Sequence, residues 1–299
     1  MTTFTSSTVP DQSGRTIIVT GANSGIGRET ARILASRGAH VILAVRSVEK
    51  GQVAAASMPG DVEVRRLDLA DLASVRAFAQ GAPESIDILI NNAGVMIPPY
   101  SRTADGFELQ MGTNHFGHFA LTSLLIGRVQ DRVVTVSSMG HRAGRIDFED
   151  LDWSRRRYRP MAAYGQSKLA NLLFTAELQR RLSLAGSPVI AVAAHPGAAT
   201  TNLLRTDGAN PAWASIQHAA VRALSQSEQA GALPILYAAV SEIPGNSYAG
   251  PGGFLESRGA PVLVGRSSRA RDPEVARRLW TASEALTGVS FPVLSDRRG

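Results

Sequence analysis

The chain has 299 residues, 44% of them hydrophobic, which is enough to bury the core of one large α/β domain. The absence of cysteine excludes disulfides, thiolate metal sites and a cysteine nucleophile. Lys and Arg (31) outnumber Asp and Glu (25), but aromatic residues make up only 6% and do not interleave with the basic ones. We therefore expect a solvated surface that attracts an anionic ligand, and no nucleic-acid interface.

The N-terminal residues 1–13 are rich in Ser and Thr and lack both a basic start and an apolar run. This composition predicts a disordered lead-in rather than a secretory signal. No stretch approaches the roughly 18 apolar residues of a membrane-spanning helix, so no membrane span is expected. Together with the lack of cysteine, the pattern favours a cytoplasmic protein.

From residue 14 onward, short β-branched runs alternate with longer helical patterns, which is typical of a parallel sheet covered by helices. The predicted strands are 16–20, 41–45, 62–67, 86–90, 132–136 and 189–194. The predicted helices are 25–36, 72–80, 104–127, 161–184, 228–240 and 273–286. These elements predict an α/β fold with one domain over residues 14–299, built on a single Rossmann-type doubly wound parallel sheet with helices on both faces.

A glycine-rich segment joins the first strand to the first helix. It runs Thr20-Gly21-Ala22-Asn23-Ser24-Gly25-Ile26-Gly27. Glycine allows a sharp turn and lets backbone N–H groups approach a ligand closely. The helix that follows directs its positive end to the same point, so the segment predicts a pyrophosphate site. Its spacing differs from G-x-G-x-x-G, but its place between a buried strand and a helix fits a dinucleotide cradle.

The residues after the second and third strands bear on the choice of cofactor. Enzymes that prefer NAD(H) usually carry an acid after the second strand, whereas an arginine accommodates a 2′-phosphate. Arg46 stands there, so the sequence favours NADP(H) over NAD(H). Asp68, after the third strand, could accept a hydrogen bond from the adenine amino group or cap the next helix, and both interpretations stay open.

A tyrosine and a lysine share one face near the start of the predicted helix 161–184. Tyr164 and Lys168 are four residues apart. A free tyrosine has a pKa of about 10, and a nearby ammonium group would stabilise its phenolate and lower that value. Ser138, at the end of the fifth strand, stands at the edge of the sheet where ligands bind in doubly wound folds. Its hydroxyl could hold a substrate oxygen against the tyrosine.

These motifs and their order resemble the short-chain dehydrogenase/reductase family over about residues 14–205. The matching features are TGANSGIG, Asn91-Asn92-Ala93-Gly94, Asn114, Ser138, Tyr164 with Lys168, and Pro196-Gly197. The segments 114–119 (NHFGHF), 167–171 (SKLAN) and 195–197 (HPG) are similar to the branch that contains retinol dehydrogenases and protochlorophyllide reductases.

The resemblance implies a role for each catalytic residue. Tyr164 would be the general acid/base, Lys168 would bind the nicotinamide ribose and tune the tyrosine, Ser138 would orient the carbonyl, and Asn114 would hold a water in a proton relay. The implied cofactor-binding residues are Gly21, Asn23, Ser24, Gly25, Ile26, Gly27, Arg46, Asp68, Leu69, Asn91, Ala93, Gly94, Tyr164, Lys168, Pro196, Gly197 and Thr201. The family also implies a homodimer or homotetramer.

The resemblance places a substrate loop at about residues 198–228, followed by a C-terminal helical extension. Apolar residues recur in this loop and after the fourth strand, namely Leu203, Leu204, Trp213, Ile216, Val221, Leu224, Val95, Met96, Ile97 and Tyr100. They suggest a small, lipophilic carbonyl or alcohol substrate, although ordinary packing or a subunit contact would use the same residues. The arginine-rich insert 144–160 is expected to face water.

Two histidines lie three residues apart in the predicted helix 104–127. His115 and His118 share a helix face, but no third ligand has the spacing of a metal site, so we expect packing roles and no metal.

One alternative function is that of a cofactor-binding protein that no longer catalyses a reaction. Such a protein need not keep the tyrosine, lysine and serine, and all three are present, so an enzyme is favoured. Reduction of a carbon–carbon double bond, as in protochlorophyllide reductases, ranks below carbonyl chemistry.

Overall fold

The computed structural model describes residues 3–197 and 227–292. Within these ranges the strands are β1 (Thr16–Thr20), β2 (His40–Val45), β3 (Asp61–Arg66), β4 (Ile86–Asn91), β5 (Val129–Val136), β6 (Ile190–Ala194), β7 (Tyr248–Pro251) and β8 (Pro261–Leu263). The longer helices are α1 (Gly25–Ser36), α2 (Val48–Ala55), α3 (Leu72–Gln80), α4 (Gly117–Leu125), α5 (Pro160–Leu184), α6 (Glu228–Val240) and α7 (Pro273–Thr287).

The strands form one sheet in the order β3-β2-β1-β4-β5-β6-β7-β8. All neighbouring pairs are parallel except β7 and β8, which are antiparallel. The strand order reverses between β1 and β4, and such a switch point opens a crevice at the carboxyl ends of the strands. The predicted doubly wound α/β fold is therefore confirmed, and the crevice defines where a ligand can bind.

Helices cover both faces because alternate residues of each strand point to opposite sides. Ile17 and Val19 of β1 pack on one face with residues of α1 and α6, whereas Ile18 packs on the other face with residues of α3, α4, α5 and α7. Each such buried side chain stabilises the fold by roughly 1.5–3 kcal/mol. The strands are thus buried on both sides, which explains their continuous apolar runs.

The N-terminal residues 3–13 are packed against the domain, so the prediction of a disordered lead-in is wrong for them. Val9 is only 2% exposed and belongs to the core. The ring of Phe4 contacts Tyr237 of α6 edge to face, with centroids 5.3 Å apart. The backbone N–H of Gln12 donates to the carbonyl of Arg37 at 2.7 Å. The apolar side chains of Phe4 and Val9 are sufficient to hold this polar segment against the domain. They are not apparent from its Ser- and Thr-rich composition.

The predicted helix 104–127 begins later and is not uniform. Residues 103–107 form a turn in which the backbone N–H of Thr103 donates to the carbonyl of Phe107 and Gly106 has φ +86°. A short helical turn, Leu109–Met111, then leads into a π-helical turn, Gly112–Phe116, directly before α4. A π turn inside a helix often marks a functional site.

The sequence analysis did not predict α2, β7 or β8. Strand β7 has the sequence YAGP and β8 has only three residues, so neither carries a periodic apolar pattern. They extend the sheet beyond β6, next to the predicted nicotinamide site. Within the described ranges, no helix is long and apolar enough to cross a membrane. The predicted substrate loop lies outside the described residues over positions 198–226.

Candidate active site

The turn between β1 and α1 presents backbone groups to the crevice. Ser24 is the N-cap of α1, in an extended conformation with φ −160°, and its side chain makes no capping hydrogen bond. The first N–H groups of a helix lack intrahelical acceptors, and the helix dipole makes this end positive. Gly25 has φ +60° and open space where a side chain would stand. The turn therefore fits a bound pyrophosphate.

Two other glycines of this turn are required by close packing. A Cβ on Gly21 would lie 2.9 Å from the Cα of Ala93, and Gly21 has φ +67°. A Cβ on Gly27 would lie 2.3 Å from Asn92 Nδ2 and 2.7 Å from the carbonyl oxygen of Gly21. The turn after β1 is thus pressed against the segment after β4. Of the other predicted cradle residues, Asn23 is half-buried and Ile26 is buried in the core.

Arg46 directly follows β2 and is exposed. In the part of the chain that the structure describes, its guanidinium has no hydrogen-bond or ion-pair partner, so it is free to contact a phosphate. Asp68 accepts a hydrogen bond from the backbone N–H of Ala70 at 3.0 Å. Asp71 instead caps α3 through Ala73 and Ser74, so the alternative that Asp68 is the cap is wrong. The next residue, Leu69, is buried.

The segment after β4 divides into structural and accessible residues. Asn91 is fully buried, and its side chain donates to Thr122 Oγ1 at 2.8 Å, so it holds α4 rather than lining the crevice. The backbone at Ala93 packs against Gly21. A Cβ on Gly94 would lie 3.1 Å from Asn114 Oδ1 and 3.5 Å from Lys168 Nζ. Gly94 therefore brings the chain close to two predicted catalytic residues.

Tyr164 and Lys168 lie on α5 and are buried. The Lys168 ammonium stands 5.7 Å from the centroid of the Tyr164 ring and donates to the carbonyl of Val136 at 3.2 Å. Burial lowers the pKa of Lys168 to about 8. Burial also raises the pKa of Tyr164, while a hydrogen bond with Ser138 opposes that rise. The phenol of Tyr164 and the ammonium of Lys168 therefore lie near each other in a region with little solvent.

Ser138 follows β5 and caps the 3₁₀ turn Met139–Ala143, where its Oγ accepts from the backbone N–H of Gly140 at 3.1 Å. A Cβ on Gly140 would lie 3.1 Å from Cε1 of Tyr164 and 3.5 Å from Ser138 Oγ. Gly140 therefore leaves room for the tyrosine ring. The sequence analysis missed this residue, because a glycine two positions after a strand is an ordinary turn signal.

Asn114 lies in the π turn and is fully buried. Its Oδ1 accepts from the backbone N–H of Val95 at 2.8 Å. Its Nδ2 donates to the carbonyl of Val95 at 3.0 Å and to Ser167 Oγ at 3.0 Å. The side chain thus joins the segment after β4 to α5 at Ser167, which lies between Tyr164 and Lys168 in the sequence.

The segment after β6 is ordered by His195, to which the sequence analysis assigned no chemical role. The backbone N–H of Gly197 donates to His195 Nδ1 at 3.2 Å, while Nε2 lies 3.2 Å from a carboxylate oxygen of Glu256. Burial lowers the pKa of His195 to about 4. Pro196 and Gly197 are half-buried next to this pair. Thr201 lies outside the described residues.

The arginine-rich insert is only partly solvated. Arg155, Arg157 and Arg159 are exposed, as expected. Arg156 differs, since its guanidinium stacks 3.8 Å above the Trp153 ring. It also donates to Asp147 Oδ2 at 2.7 Å and to Gln166 Oε1 at 3.0 Å, and Gln166 is on α5. The prediction that these arginines face water is wrong for Arg156, which connects the insert to α5, the helix that carries Tyr164 and Lys168.

The two histidines of the NHFGHF segment are buried and neutral. His115 Nε2 is 2.9 Å from Ser283 Oγ of α7, and His118 Nε2 is 2.9 Å from Thr20 Oγ1. Burial lowers the pKa of His115 to about 3 and that of His118 to about 4. No cluster of three or more His, Asp or Glu side chains suited to a metal ion occurs among the described residues.

Comparison with known proteins identifies the family. The family model described as short chain dehydrogenase matches residues 15–212. Retinol dehydrogenase 13 of Homo sapiens is 44% identical over 302 residues, covering 95% of this chain and 88% of the relative. Retinol dehydrogenase 12 of Mus musculus is 43% identical over 290 residues, covering 93% and 88%.

Solved structures agree with this result. An uncharacterized protein from Mycobacterium Paratuberculosis is 53% identical with a TM-score of 0.84, covering 97% of this chain and all (100%) of that chain. A protein named as an NAD(P) dependent gluconate 5-dehydrogenase from Beutenbergia cavernae, with bound NADP, is 26% identical with a TM-score of 0.56, covering 77% and 91%. A 3-ketoacyl-(acyl-carrier-protein) reductase from Brucella melitensis, complexed with NADH, is 25% identical with a TM-score of 0.52, covering 64% and 78%.

The family match covers more than half of the chain, and the retinol dehydrogenases are similar over nearly all of it. The sheet order, the turn after β1 and the cluster around Tyr164 agree with that match. The chain therefore belongs to the short chain dehydrogenase family, in its retinol dehydrogenase branch, and is an oxidoreductase that acts on CH–OH and C=O groups.

Proposed function

We propose that the protein is an NADP(H)-dependent enzyme that interconverts a carbonyl and an alcohol on a lipophilic small molecule, with Tyr164 as general acid and base. The observation that carries the proposal is the meeting of Tyr164, Ser138 and Lys168 at the carboxyl edge of the sheet, beside a turn that fits a pyrophosphate. A phenol, a hydroxyl and an ammonium are the groups needed to exchange one proton with a carbonyl oxygen.

The cofactor would lie along the crevice, with its phosphates at Ser24 and Gly25 and its 2′-phosphate at Arg46. When bound, the nicotinamide supplies or accepts the hydride at the reacting carbon. Gly94 and Lys168 would then limit the space available to the nicotinamide ribose. The turn at Pro196 and Gly197, ordered by His195, would flank the ring.

The proton is held at Tyr164 Oη. Because burial raises the pKa of this phenol, it keeps its proton near neutral pH and can donate it to the oxygen of a carbonyl that is being reduced. Ser138 Oγ accepts from the backbone N–H of Gly140, and its hydroxyl hydrogen, which here is shared with Tyr164, would turn to orient the same oxygen when a carbonyl is bound. With a pKa of about 8, Lys168 is mostly charged at pH 7 and stabilises the phenolate that remains.

Cofactor preference rests on Arg46, because the solved relatives include both an NADP and an NADH complex. An exposed, unpaired arginine can form a bidentate contact with a 2′-phosphate, and such charged hydrogen bonds contribute about 1.5–3 kcal/mol. The test is a titration of the purified protein with NADPH and NADH, followed by nicotinamide fluorescence.

We expect clearly tighter NADPH binding in the wild type and a roughly tenfold to hundredfold weaker Kd for NADPH in Arg46→Leu, with the Kd for NADH unchanged. Arg278→Leu removes the same charge from α7, where the side chain is 62% exposed, and should change neither Kd. Tighter NADH binding by the wild type would overturn the role of Arg46. Binding of neither would overturn the proposed function.

A lipophilic substrate is favoured by Val95, Met96 and Ile97, which are half-buried after β4, and by the retinol dehydrogenases among the relatives. Pockets for such molecules are mostly apolar with a few polar groups. We expect kcat/KM to rise along a series of aldehydes as their apolar chain becomes longer, and we expect retinal to be among the substrates. Efficient turnover of small hydrophilic carbonyls alone would contradict this proposal.

The cytoplasmic location and the homodimer or homotetramer remain predictions. Fractionation of cells into soluble and membrane-bound material tests the first. Light scattering on the purified protein tests the second.

A further inference from the structure

His118 connects two parts of the site that are far apart in sequence. Its side chain is 1% exposed. Nδ1 lies 3.1 Å from the carbonyl oxygen of Asn114, and Nε2 lies 2.9 Å from Thr20 Oγ1. A carbonyl can only accept, so the hydrogen is on Nδ1. The lone pair of Nε2 is then left to accept the hydroxyl hydrogen of Thr20.

On the cradle side, Thr20 is a junction between β1 and β4. Its Oγ1 accepts from the backbone N–H groups of Asn92 and Ala93, each at 2.9 Å. The carbonyl of Ile90 is a longer alternative acceptor at 3.4 Å, so the hydroxyl hydrogen goes to His118 Nε2 at 2.9 Å. The hydroxyl then uses all of its hydrogen-bonding capacity. Gly21 follows directly and packs against Ala93. The position of Thr20 therefore sets the position of the turn that would bind the phosphates.

On the catalytic side, Asn114 continues the connection to α5. Its Nδ2 donates to Ser167 Oγ at 3.0 Å, and Ser167 Oγ donates to the carbonyl of Tyr164 at 2.8 Å. Asn114 lies in the π turn, where the backbone departs from regular α-helical hydrogen bonding. The imidazole of His118 gives the carbonyl of this residue a fixed donor.

We propose that His118, as a neutral imidazole protonated on Nδ1, is a positioning residue that sets the separation between the dinucleotide cradle and the catalytic cluster. The bridge runs from Thr20 through His118, Asn114 and Ser167 to the backbone of Tyr164 with donor–acceptor distances of 2.8–3.1 Å. The inference rests on the proposed function, because it assumes that a dinucleotide and a reacting carbonyl meet between these two ends.

The neutral state of His118 has a physical cause. Complete burial and the charge of Lys168 disfavour an imidazolium, while the hydrogen bond to Asn114 only partly offsets them. A charged ring would also lose its acceptor nitrogen and release Thr20. The bridge is therefore intact throughout the neutral pH range.

His115 is a matched control on the same helical segment. It is also buried and its Nε2 is 2.9 Å from Ser283 Oγ of α7. Its other contacts are the rings of Phe116, Phe119 and Phe174 and a hydrogen bond with Asn171 of α5, which is not part of the bridge. It has no contact with the turn after β1. Loss of His115 should therefore affect stability without affecting the separation of the two sites.

The first test compares His118→Leu with His115→Leu in three measurements: Tm, the Kd for NADPH and kcat. We expect both variants to lower Tm. Only His118→Leu should raise the Kd about tenfold and lower kcat about tenfold, the size of effect that one lost buried hydrogen bond produces. His115→Leu should keep both within about twofold. Equal effects on Kd and kcat in the two variants, or no effect in either, would overturn the inference.

The second test separates the two hydrogen bonds and also serves if His118→Leu does not fold. The amide of His118→Asn stands near the Nδ1 position and can still donate to Asn114, whereas that of His118→Gln reaches the Nε2 position and can still contact Thr20. We expect kcat within about threefold of the wild type in the Asn variant, and Kd within about threefold in the Gln variant. The opposite pattern, or no rescue by either, counts against the bridge.

The third measurement does not depend on activity. In ¹⁵N-histidine-labelled protein without cofactor, the resonances absent from His118→Asn are those of His118, and their shifts should show a proton on Nδ1 and none on Nε2. A proton on Nε2 would overturn the bridge even in an active enzyme. Failure of the proposed function is seen separately, as a wild type that does not bind NADPH or a Tyr164→Phe variant with full turnover.

Discussion

The turn after β1 and the cluster around Tyr164 lie at the same edge of the sheet but are built from different parts of the chain. The turn consists of backbone: Gly21 and Gly27 have no room for a side chain, and the N-cap of α1 makes no side-chain hydrogen bond. The cluster consists of side chains, namely Tyr164 and Lys168, which are buried on α5, and Ser138, which is half-buried after β5. We therefore expect substitutions that add atoms to damage the turn, and substitutions that remove atoms to damage the cluster.

The largest expected effect is the loss of the Tyr164 hydroxyl, which tests the cluster alone. Tyr164→Phe should lower kcat by roughly 10²–10⁴-fold, the usual contribution of general acid–base catalysis, and leave the Kd for NADPH within about twofold. Steady-state kinetics and a fluorescence titration measure the two quantities.

Tyr158→Phe is the control for this variant. The Tyr158 hydroxyl donates to Glu108 at 3.0 Å and accepts from Gln110 at 2.8 Å, so its loss should lower stability but keep kcat near that of the wild type. An unchanged kcat in Tyr164→Phe would remove the assigned mechanism and the contrast between the two regions.

The next effect is expected from one added methyl group in the turn. Gly27→Ala would place a carbon against Asn92 Nδ2 and the Gly21 carbonyl, so the turn must move. Such overpacking typically costs about 1–3 kcal/mol of unfolding free energy, and we expect the Kd for NADPH to rise at least tenfold. Urea denaturation and the same titration measure these changes.

Gly127→Ala is the matched substitution, because no atom of the described residues lies within 4 Å of the added carbon. Its Kd and stability should stay close to those of the wild type. If Gly27→Ala bound NADPH as tightly as Gly127→Ala, the turn would not be the phosphate site that its packing suggests.

A smaller effect, a change of the unfolding free energy with pH, is expected from the buried ammonium of Lys168. Burial lowers its pKa from 10.5 to about 8, so between these pH values the folded protein binds fewer protons than the unfolded chain. Stability from this group therefore increases as pH rises through the window, by about 1.4 kcal/mol per pH unit, and the penalty for the buried charge is present in full below pH 8.

Lys168→Met should remove this slope, and the variant should be more stable than the wild type at pH 7 while losing most of its turnover. Urea denaturation at pH 7, 8, 9 and 10 measures the slope in both proteins. Parallel curves for the two would show that Lys168 is better solvated than its burial implies, and would weaken the contrast between a turn made of backbone and a cluster of buried side chains.

Much of the site could be predicted from the sequence, because its signals are local. A glycine segment between a buried strand and a helix, an arginine after β2 and a tyrosine four residues before a lysine each lie within one element or one turn. The parallel strand order brings the carboxyl ends of β1, β2 and β5 to the same edge of the sheet. Residues whose partners lie in another element were mispredicted or missed, as with Arg156 against Gln166 of α5, and Gly140 against Tyr164.

The sequence by itself determined the α/β class, the glycine turn after β1 and the Tyr164–Lys168 pair, since periodicity, glycine placement and helical spacing follow from backbone geometry. Only the tertiary structure decided that Val9 belongs to the core, that Asn91 is buried against α4, and that His118 joins Thr20 to Asn114. The physical reason is that a buried polar side chain must find its partner, and that partner is supplied by whichever distant segment the sheet order brings beside it.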